Sequence, residues 1–187
     1  ELRERAKHAL EVAGKATFSS LESAVKGVEG VTSVLIEDMP DGVLGVVKII
    51  VQGGSPEDIQ RVIDETRAAG IKVEFTRPGI VNIDIDLTVK LVRGADPLRV
   101  EKEVESKIRS YLSELDIGDD IVYNRVVNSV FSVEGVYDVS ELTINAYRED
   151  VEKAVQSTRE NIEIRADEMA LIREVSVLVR PFERRVV

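Results

Sequence analysis

Three oxygen-bearing side chains alternate along one predicted strand, and they are the first candidates for chemistry. Asn82, Asp84 and Asp86 would lie on one strand face, where they could attract a hard cation such as Ca²⁺. Side chains two residues apart on a strand are separated by about 7 Å, too far for all three to share one ion without outside ligands. We therefore interpret Asp84 and Asp86 as part of a solvated or partner-facing strand face.

A second acidic group surrounds Gly118 and consists of Asp116, Asp119 and Asp120. Calcium binding here would need ligands at set intervals, but the loop lacks the D-x-[DN]-x-[DN]-G spacing of an EF-hand. Loop solvation and helix capping explain these carboxylates better. We predict no metal site, and we keep Asp119 and Asp120 as further residues that could face a basic partner.

Catalytic and cofactor motifs are not found in the sequence. His8 is the only histidine, so neither a catalytic triad nor a multi-histidine metal site can be built. Gly53-Gly54-Ser55 could present backbone N–H groups to a phosphate, but Glu57 and Asp58 would repel an anion at that helix start. We predict no catalytic residues, no cofactor and no small-molecule substrate, and therefore not an enzyme.

Composition narrows the class of partner. The chain has 187 residues, 25 of them basic and 35 acidic, which gives a net charge of −10 and argues against a nonspecific nucleic-acid binder. It has no cysteine, so disulfides and thiolate zinc sites cannot form. The longest apolar stretch, Val43–Val51, is far short of the ~20 residues that span a bilayer, so no membrane segment is predicted. Protein partners remain.

A short repeat indicates the domain organisation. The phrase V-E-G-V occurs at Val28–Val31 and again at Val133–Val136, each time between an apolar-periodic helix and a strand. The interval far exceeds the roughly 20 to 50 residues of solenoid repeats, so the repeat predicts two related domains.

The elements of the first half follow from periodicity and turn residues. Two helices precede V-E-G-V, and Val31–Ile36 and Val43–Val51 are predicted to form a hairpin through the turn Asp38–Gly42. Ser55–Asp58 supplies a helix start with a serine cap and a proline at the first position. Ile71–Phe75 then alternates as a strand buried on one side, which gives the order ααββαβ.

The second half repeats the helix-helix-strand unit. Ile83–Leu91 has the clearest strand alternation in the chain, and Asp96-Pro97 then starts a helix. A further helix leads through the second V-E-G-V into an irregular strand. Residues 146–160 are charged with weak helical periodicity, which predicts an exposed excursion, and two short terminal strands are predicted near 162–164 and 175–179.

These elements predict an α+β fold of two small related domains, each a mostly antiparallel sheet with helices packed on one face. The first domain is expected over residues 1–77 and the second over residues 80–187, with a short hinge between them. Seven residues are predicted to form the structural turns: Gly14, Gly30, Gly70, Pro78, Gly79, Gly118 and Gly135.

The order of these motifs resembles that of the baseplate J-like proteins of contractile phage tails. In the first half the resemblance rests on Leu2-Arg-Glu-Arg5, Gly14-Lys-Ala-Thr17, V-E-G-V and the Gly-Gly before a helix that ends at Ala69-Gly-Ile71. In the second half it rests on Val81–Val92, Tyr111-Leu112, Leu115–Gly118, Val133–Val136, Asn161–Ile164 and Val175–Val177. Each motif is short, and their order over the whole chain is the specific part.

The resemblance implies a structural subunit with no catalytic residues. Such a subunit belongs to the wedges around the hub of a tail baseplate, where it contacts other wedge and hub proteins and further copies of itself. It would be assembled in the host cytoplasm and would help couple host recognition to sheath contraction. The chain starts at Glu1 inside an apparent helix, so we expect it to be the central and C-terminal part of a longer protein.

Two other functions fit paired α+β domains. One is a ligand-binding regulatory module, which would bind a metabolite between its domains. The other is a ring-building domain of a secretion apparatus, which also uses small α+β units.

Overall fold

The computed structural model describes residues 18–42, 45–68, 70–150 and 154–181. The chain forms two compact units that divide between Pro78 and Gly79. Each unit combines helices with one mixed sheet, so the predicted α+β fold class is confirmed. Gly14, His8 and the first predicted helix lie outside the described residues.

The first unit is a three-stranded sheet with two described helices. In chain order it contains α1 (helical over residues 18–26), β1 (Val31–Asp38), a 3-10 turn (Pro40–Gly42), β2 (Val46–Gly53), α2 (Pro56–Thr66) and β3 (Lys72–Thr76). The strand order is β1-β2-β3, antiparallel between β1 and β2 and parallel between β2 and β3. Its core consists of Leu21, Val25, Val47, Ile49, Val51, Ile59 and Ile63.

Helix α2 begins where its cap residues predict. The Ser55 hydroxyl accepts a hydrogen bond from the Asp58 N–H at 3.4 Å, and Pro56 occupies the first helical position. Glu57 and Asp58 lie in the first turn, where the partial positive charge of the helix end favours carboxylates. The inner face, Ile59 and Ile63, is buried against β2 and α1.

The second unit is a four-stranded sheet with two helices on one face. In chain order it contains β4 (Gly79–Leu91), α3 (Pro97–Ser113), α4 (Tyr123–Phe131), β5 (Val136–Arg148), β6 (Val155–Ser157) and β7 (Glu168–Arg180). The strand order is β6-β5-β4-β7, and only the β4–β7 pair is parallel. Odd-numbered β4 residues from Val81 to Leu91 pack against the apolar faces of α3 and α4.

The two sheets have the same arrangement of their three main strands, reached by different chain orders. Each has a central strand (β2 or β4), an antiparallel neighbour that follows V-E-G-V (β1 or β5) and a parallel neighbour on the other side (β3 or β7). In the first unit the helix-to-strand corner precedes the central strand, and in the second unit it follows that strand. The repeated phrase therefore marks the same corner of two similar sheets.

The C-terminal strand differs from its prediction in length. Two short strands are expected near 162–164 and 175–179, but β7 is continuous over Glu168–Arg180, and Ile162 makes only an isolated bridge with Ile121. A bulge at Arg173 shifts the register between Ile83 and Asp84 of β4, so the buried positions change from even to odd numbers along β7. Because of this change, the sequence of β7 does not alternate strictly along its whole length.

The structure also differs from the predicted exposed excursion over residues 146–160, because parts of that range belong to strands. Ala146 is buried within β5, which continues to Arg148, and residues 155–157 form β6, which pairs with Ile144–Ala146. The charged sequence between β5 and β6 gives no strand alternation, so it did not indicate that these two strands pair. Asp150 and residues 158–160 lie outside any strand.

Candidate interaction surface

The first V-E-G-V forms a tight corner against the Gly53-Gly54 turn. Gly30 has φ +81°, and its carbonyl accepts a hydrogen bond from the Gly54 N–H at 2.9 Å. Gly53 and Gly54 have φ +78° and +68°, and a Cβ on Gly53 would lie 2.1 Å from the Gly30 oxygen. All three positions favour glycine because of their positive φ, and at Gly53 a side chain would also collide with the backbone of Gly30.

The second V-E-G-V makes the equivalent corner. Gly135 has φ +103°, and its carbonyl accepts a hydrogen bond from the Val92 N–H at 2.8 Å. Register confirms the equivalence, because Val31 pairs with Gly53 and Val136 pairs with Leu91. Each corner therefore joins a helix-strand segment to the end of the central strand by the same backbone contact.

Arg77 stabilises the first corner through hydrogen bonds to the β2–α2 turn. Its guanidinium donates hydrogen bonds to the carbonyls of Val51 at 3.0 Å and Gly54 at 2.8 Å, and to that of Gly53. The same group lies over the Phe75 ring, 5.2 Å from its centroid. One planar side chain therefore holds three successive parts of the β2–α2 turn.

The other predicted turn residues lie in connections between elements. Gly70 follows α2, and Gly118 lies after α3, where its N–H donates to the Glu168 carbonyl at 2.9 Å. Gly79 begins β4 and donates its N–H to the Asp167 carbonyl at 2.9 Å, directly after Pro78.

The sheet of the second unit has a face opposite its helices, which we call the open face. It carries the even-numbered residues of β4 and their neighbours on β5 and β7. Asp84 accepts two hydrogen bonds from the Arg173 guanidinium, one of them from Nε at 2.8 Å. Arg173 also stacks over the Tyr147 ring, 4.4 Å from its centroid. Its bond to Asp84 raises the pKa of Arg173, so the guanidinium stays charged.

Further cross-strand pairs extend along the open face. Lys90 contacts Asp138 at 3.0 Å, and the Asn145 amide donates to Asp86 at 3.2 Å. Exposed pairs of this kind add little stability, because water screens them. They do hold long side chains in fixed positions, which reduces the entropy that a partner must remove on binding.

Glu141 stands out on this face because of its backbone. It has φ +55°, which is unusual for a residue with a side chain, and it occupies a bulge where β5 passes Leu87. Its carboxylate accepts a hydrogen bond from the Thr88 hydroxyl at 2.7 Å and lies 3.6 Å from Arg180. The bulge therefore links all three main strands at one point.

The four acidic residues predicted to face a partner have different environments. Asp84 is 8% exposed and is bonded to Arg173, so it contributes to the sheet and presents little surface. Asp86, Asp119 and Asp120 are exposed. Asp119 accepts the Asp116 N–H at 2.9 Å, and Asp120 accepts the Ile164 N–H at 2.8 Å, so both carboxylates also shape their loop.

A buried ion pair lies at the end of the second sheet where β4 begins. The side chains of Arg148 and Glu168 are 12% and 8% exposed, and they meet at 3.0 Å across β5 and β7. Arg165 adds a contact to Glu168 at 3.3 Å and another to Asp150 at 2.7 Å. The hydrogen bond from Arg165 lowers the pKa of Asp150 and raises that of Arg165.

In the part of the chain that the structure describes, no three His, Cys, Asp or Glu residues are grouped as a metal site would need. No helix among the described residues is long and apolar enough to cross a membrane.

Sequence reasoning missed the arginines that organise these surfaces. Arg77 follows β3 and reaches back to β2, and Arg173 occupies a bulge, so neither position shows a periodic signal. Arg148 and Glu168 give a weak signal, because each charged residue lies at the end of a strand that also carries other polar residues. Their opposite charges then indicate a pair.

The second unit matches a known protein family. Residues 83–178, just over half of the chain, match the model of the baseplate J-like protein C-terminal domain. That range covers nearly all of the sheet of the second unit. No curated protein matches the chain.

A solved structure shares the fold. The chain is similar to one described as the cryo-EM structure of the anti-feeding prophage (AFP) baseplate, 6-fold symmetrised, with a TM-score of 0.56 and 11% identity. The match covers 81% of this chain and 36% of the other, so this chain spans about a third of the length of that protein. Fold and family model agree, and the chain belongs to the baseplate J-like proteins, a family of structural baseplate components.

Proposed function

We propose that this protein is a structural subunit of a contractile phage or phage-like tail baseplate, located in the wedges around the hub. The observation that carries this proposal is the family match over residues 83–178, which includes β5, most of β4 and β7, and both helices packed against them. The protein acts through contacts with other wedge and hub proteins and with further copies of itself, and it is assembled in the host cytoplasm before it joins the tail.

The open face supports a scaffold role. Several of its charged residues are paired with each other, as in Asp84 with Arg173 and Lys90 with Asp138, so part of the surface is shaped before a partner arrives. A preorganised surface suits a permanent assembly, because little side-chain freedom is lost when it is covered. Asp86, Asp119 and Asp120 supply exposed carboxylates for a basic partner surface.

The glycine corners support the same role. Both corners are fixed by backbone hydrogen bonds, and the first also by the Arg77 guanidinium. A subunit that couples host recognition to sheath contraction must transmit displacement without deforming, which favours corners of this kind.

Deletion and complementation in the strain that encodes the protein tests the proposal. We expect deletion to abolish tails with complete baseplates, as seen by electron microscopy of lysates, and the wild-type gene to restore them. Replacing Asp86 with lysine should leave the protein folded, because its carboxylate makes only an exposed contact with Asn145, and should reduce the number of complete baseplates. Normal tails from the deletion strain would refute the proposal.

A further inference from the structure

The outer edge of β7 lacks a strand partner among the described residues. β7 is the last strand in the order β6-β5-β4-β7 and pairs only with β4. It is 13 residues long, so its free edge presents a row of backbone N–H and C=O groups. Such an edge is a template for another strand.

One segment of this edge, between Glu174 and Arg180, lacks the charges and the bulge that the rest of the strand contains. After the bulge at Arg173 the register is regular, and Val175–Val179 reads V-S-V-L-V, without charge, proline or glycine. Leu178 is 56% exposed. Uncharged, β-branched edges of this kind associate readily, and natural proteins usually interrupt or cover them.

The other described edges are less suited to pairing with a second copy. β6 has only three residues, and β3 carries Lys72 and Glu74 within its five. β1 has an uncharged run of its own, Val31–Ile36, but its only charged residues are Glu37 and Asp38, so a second copy brings no basic residue to pair with them. β7 is therefore the described edge that combines an uncharged run with opposite charges at its two ends.

We propose that β7 pairs with β7 of a second copy of this chain, antiparallel and centred on Val177. In this register Glu174 lies opposite Arg180 of the second copy, and symmetry repeats the pair. Val175 lies opposite Val179. Opposite charges that face each other across strands stabilise an antiparallel pair, and matched β-branched residues do the same.

Neighbouring registers lose this match. Centring the pair on Ser176 puts Arg180 opposite Ile172, and centring it on Leu178 puts Arg180 opposite Ser176. All three registers keep the open faces of both copies on one side and their helix-packed faces on the other, because each pairs residues that point to the same face. The match of opposite charges therefore selects the Val177 register among them. The two sheets then form one continuous sheet of eight strands.

This inference goes beyond the proposed function, because it needs only the edge and its charges. Sedimentation velocity of the 187-residue chain tests it. We expect a concentration-dependent dimer, and we expect Glu174→Arg to weaken it at least tenfold, since arginine then faces Arg180. The double variant Glu174→Arg/Arg180→Glu should restore the dimer, with Glu141→Gln present in every chain compared because Glu141 lies 3.6 Å from Arg180 of its own copy. Glu163→Arg, an equal charge change on an exposed loop, is the control and should dimerise normally. Circular dichroism of each variant excludes unfolding as the cause.

Cross-linking tests the register directly, because the chain has no cysteine of its own. An oxidised mixture of Ser176→Cys and Leu178→Cys chains should give a disulfide heterodimer. Leu171→Cys is the control: in this register its two copies are roughly 40 Å apart, so it should remain uncross-linked. A monomer at all concentrations, failure of the double variant to restore the dimer, or equal cross-linking through Leu171→Cys would each overturn the proposal. Baseplate localisation is read separately, so neither result decides the other.

Discussion

Replacing Gly53 with alanine tests the glycine corner of the first unit most sharply. The new Cβ would lie 2.1 Å from the Gly30 oxygen and 3.2 Å from its carbonyl carbon, both backbone atoms. The Gly30 carbonyl would have to move and would lose its hydrogen bond from the Gly54 N–H. Gly70→Ala is the matched control, because Gly70 has φ +86° and a Cβ there meets nothing within 4 Å.

The two substitutions should differ severalfold in cost. Both force alanine into the left-handed region, which costs about 1–2 kcal/mol per residue. Alanine restricts the unfolded chain, which returns about 0.4–1 kcal/mol, so Gly70→Ala should destabilise the unit by about 1 kcal/mol. Gly53→Ala adds the lost hydrogen bond and its unpaired groups, so we expect a total of about 3 kcal/mol.

Thermal unfolding followed by circular dichroism measures the difference. For a unit of this size 1 kcal/mol lowers the Tm by about 4–8 °C, so Gly53→Ala should lower it by roughly three times as much as Gly70→Ala. Equal shifts for the two variants would refute the reasoning, because they would mean that the backbone contact adds nothing beyond the strained φ.

Three further substitutions test the charged contacts. Arg77→Lys should destabilise the first unit by about 1–2 kcal/mol in urea unfolding, because one ammonium cannot reach three carbonyls; an unchanged midpoint would contradict the clamp. Glu168→Gln should cost about 3–5 kcal/mol, since it leaves the Arg148 guanidinium buried without a carboxylate. Asp150 has a lowered pKa in the folded chain, so its contribution is present at neutral pH and is lost as pH falls through that pKa. Asp150→Asn should therefore flatten the acid side of a Tm-against-pH profile, and an identical profile would show that its contact with Arg165 adds no stability.

Much of the fold could be predicted because local signals agree with the final packing. Ser55 with Pro56 and Asp96 with Pro97 start helices where the structure has them, since caps act within one turn. The V-E-G-V corners were found for the same reason, because glycine and the adjacent apolar residues are local. Strand partners are not local, so the sequence did not indicate that β7 lies beside β4.

The features that escaped prediction depend on bulges and long-range contacts. Arg173 and Glu141 both lie at bulges, which interrupt the alternation that sequence reasoning uses. The sequence places Asp84 on the polar face of its strand but does not indicate its ion pair. Its partner Arg173 is 89 residues away in the chain, and only the folded sheet brings the two together.

Antibody labelling of purified contractile particles is the most direct test of the central claim, that this chain is a baseplate scaffold. Antibodies against the 187-residue chain, viewed by electron microscopy, should mark the distal end of the tail in both extended and contracted particles. Particles from a deletion strain complemented with an epitope-tagged copy give the matched control, since the tag should appear at the same place. Label on a membrane-embedded ring, or particles with complete baseplates that carry no label, would contradict the account.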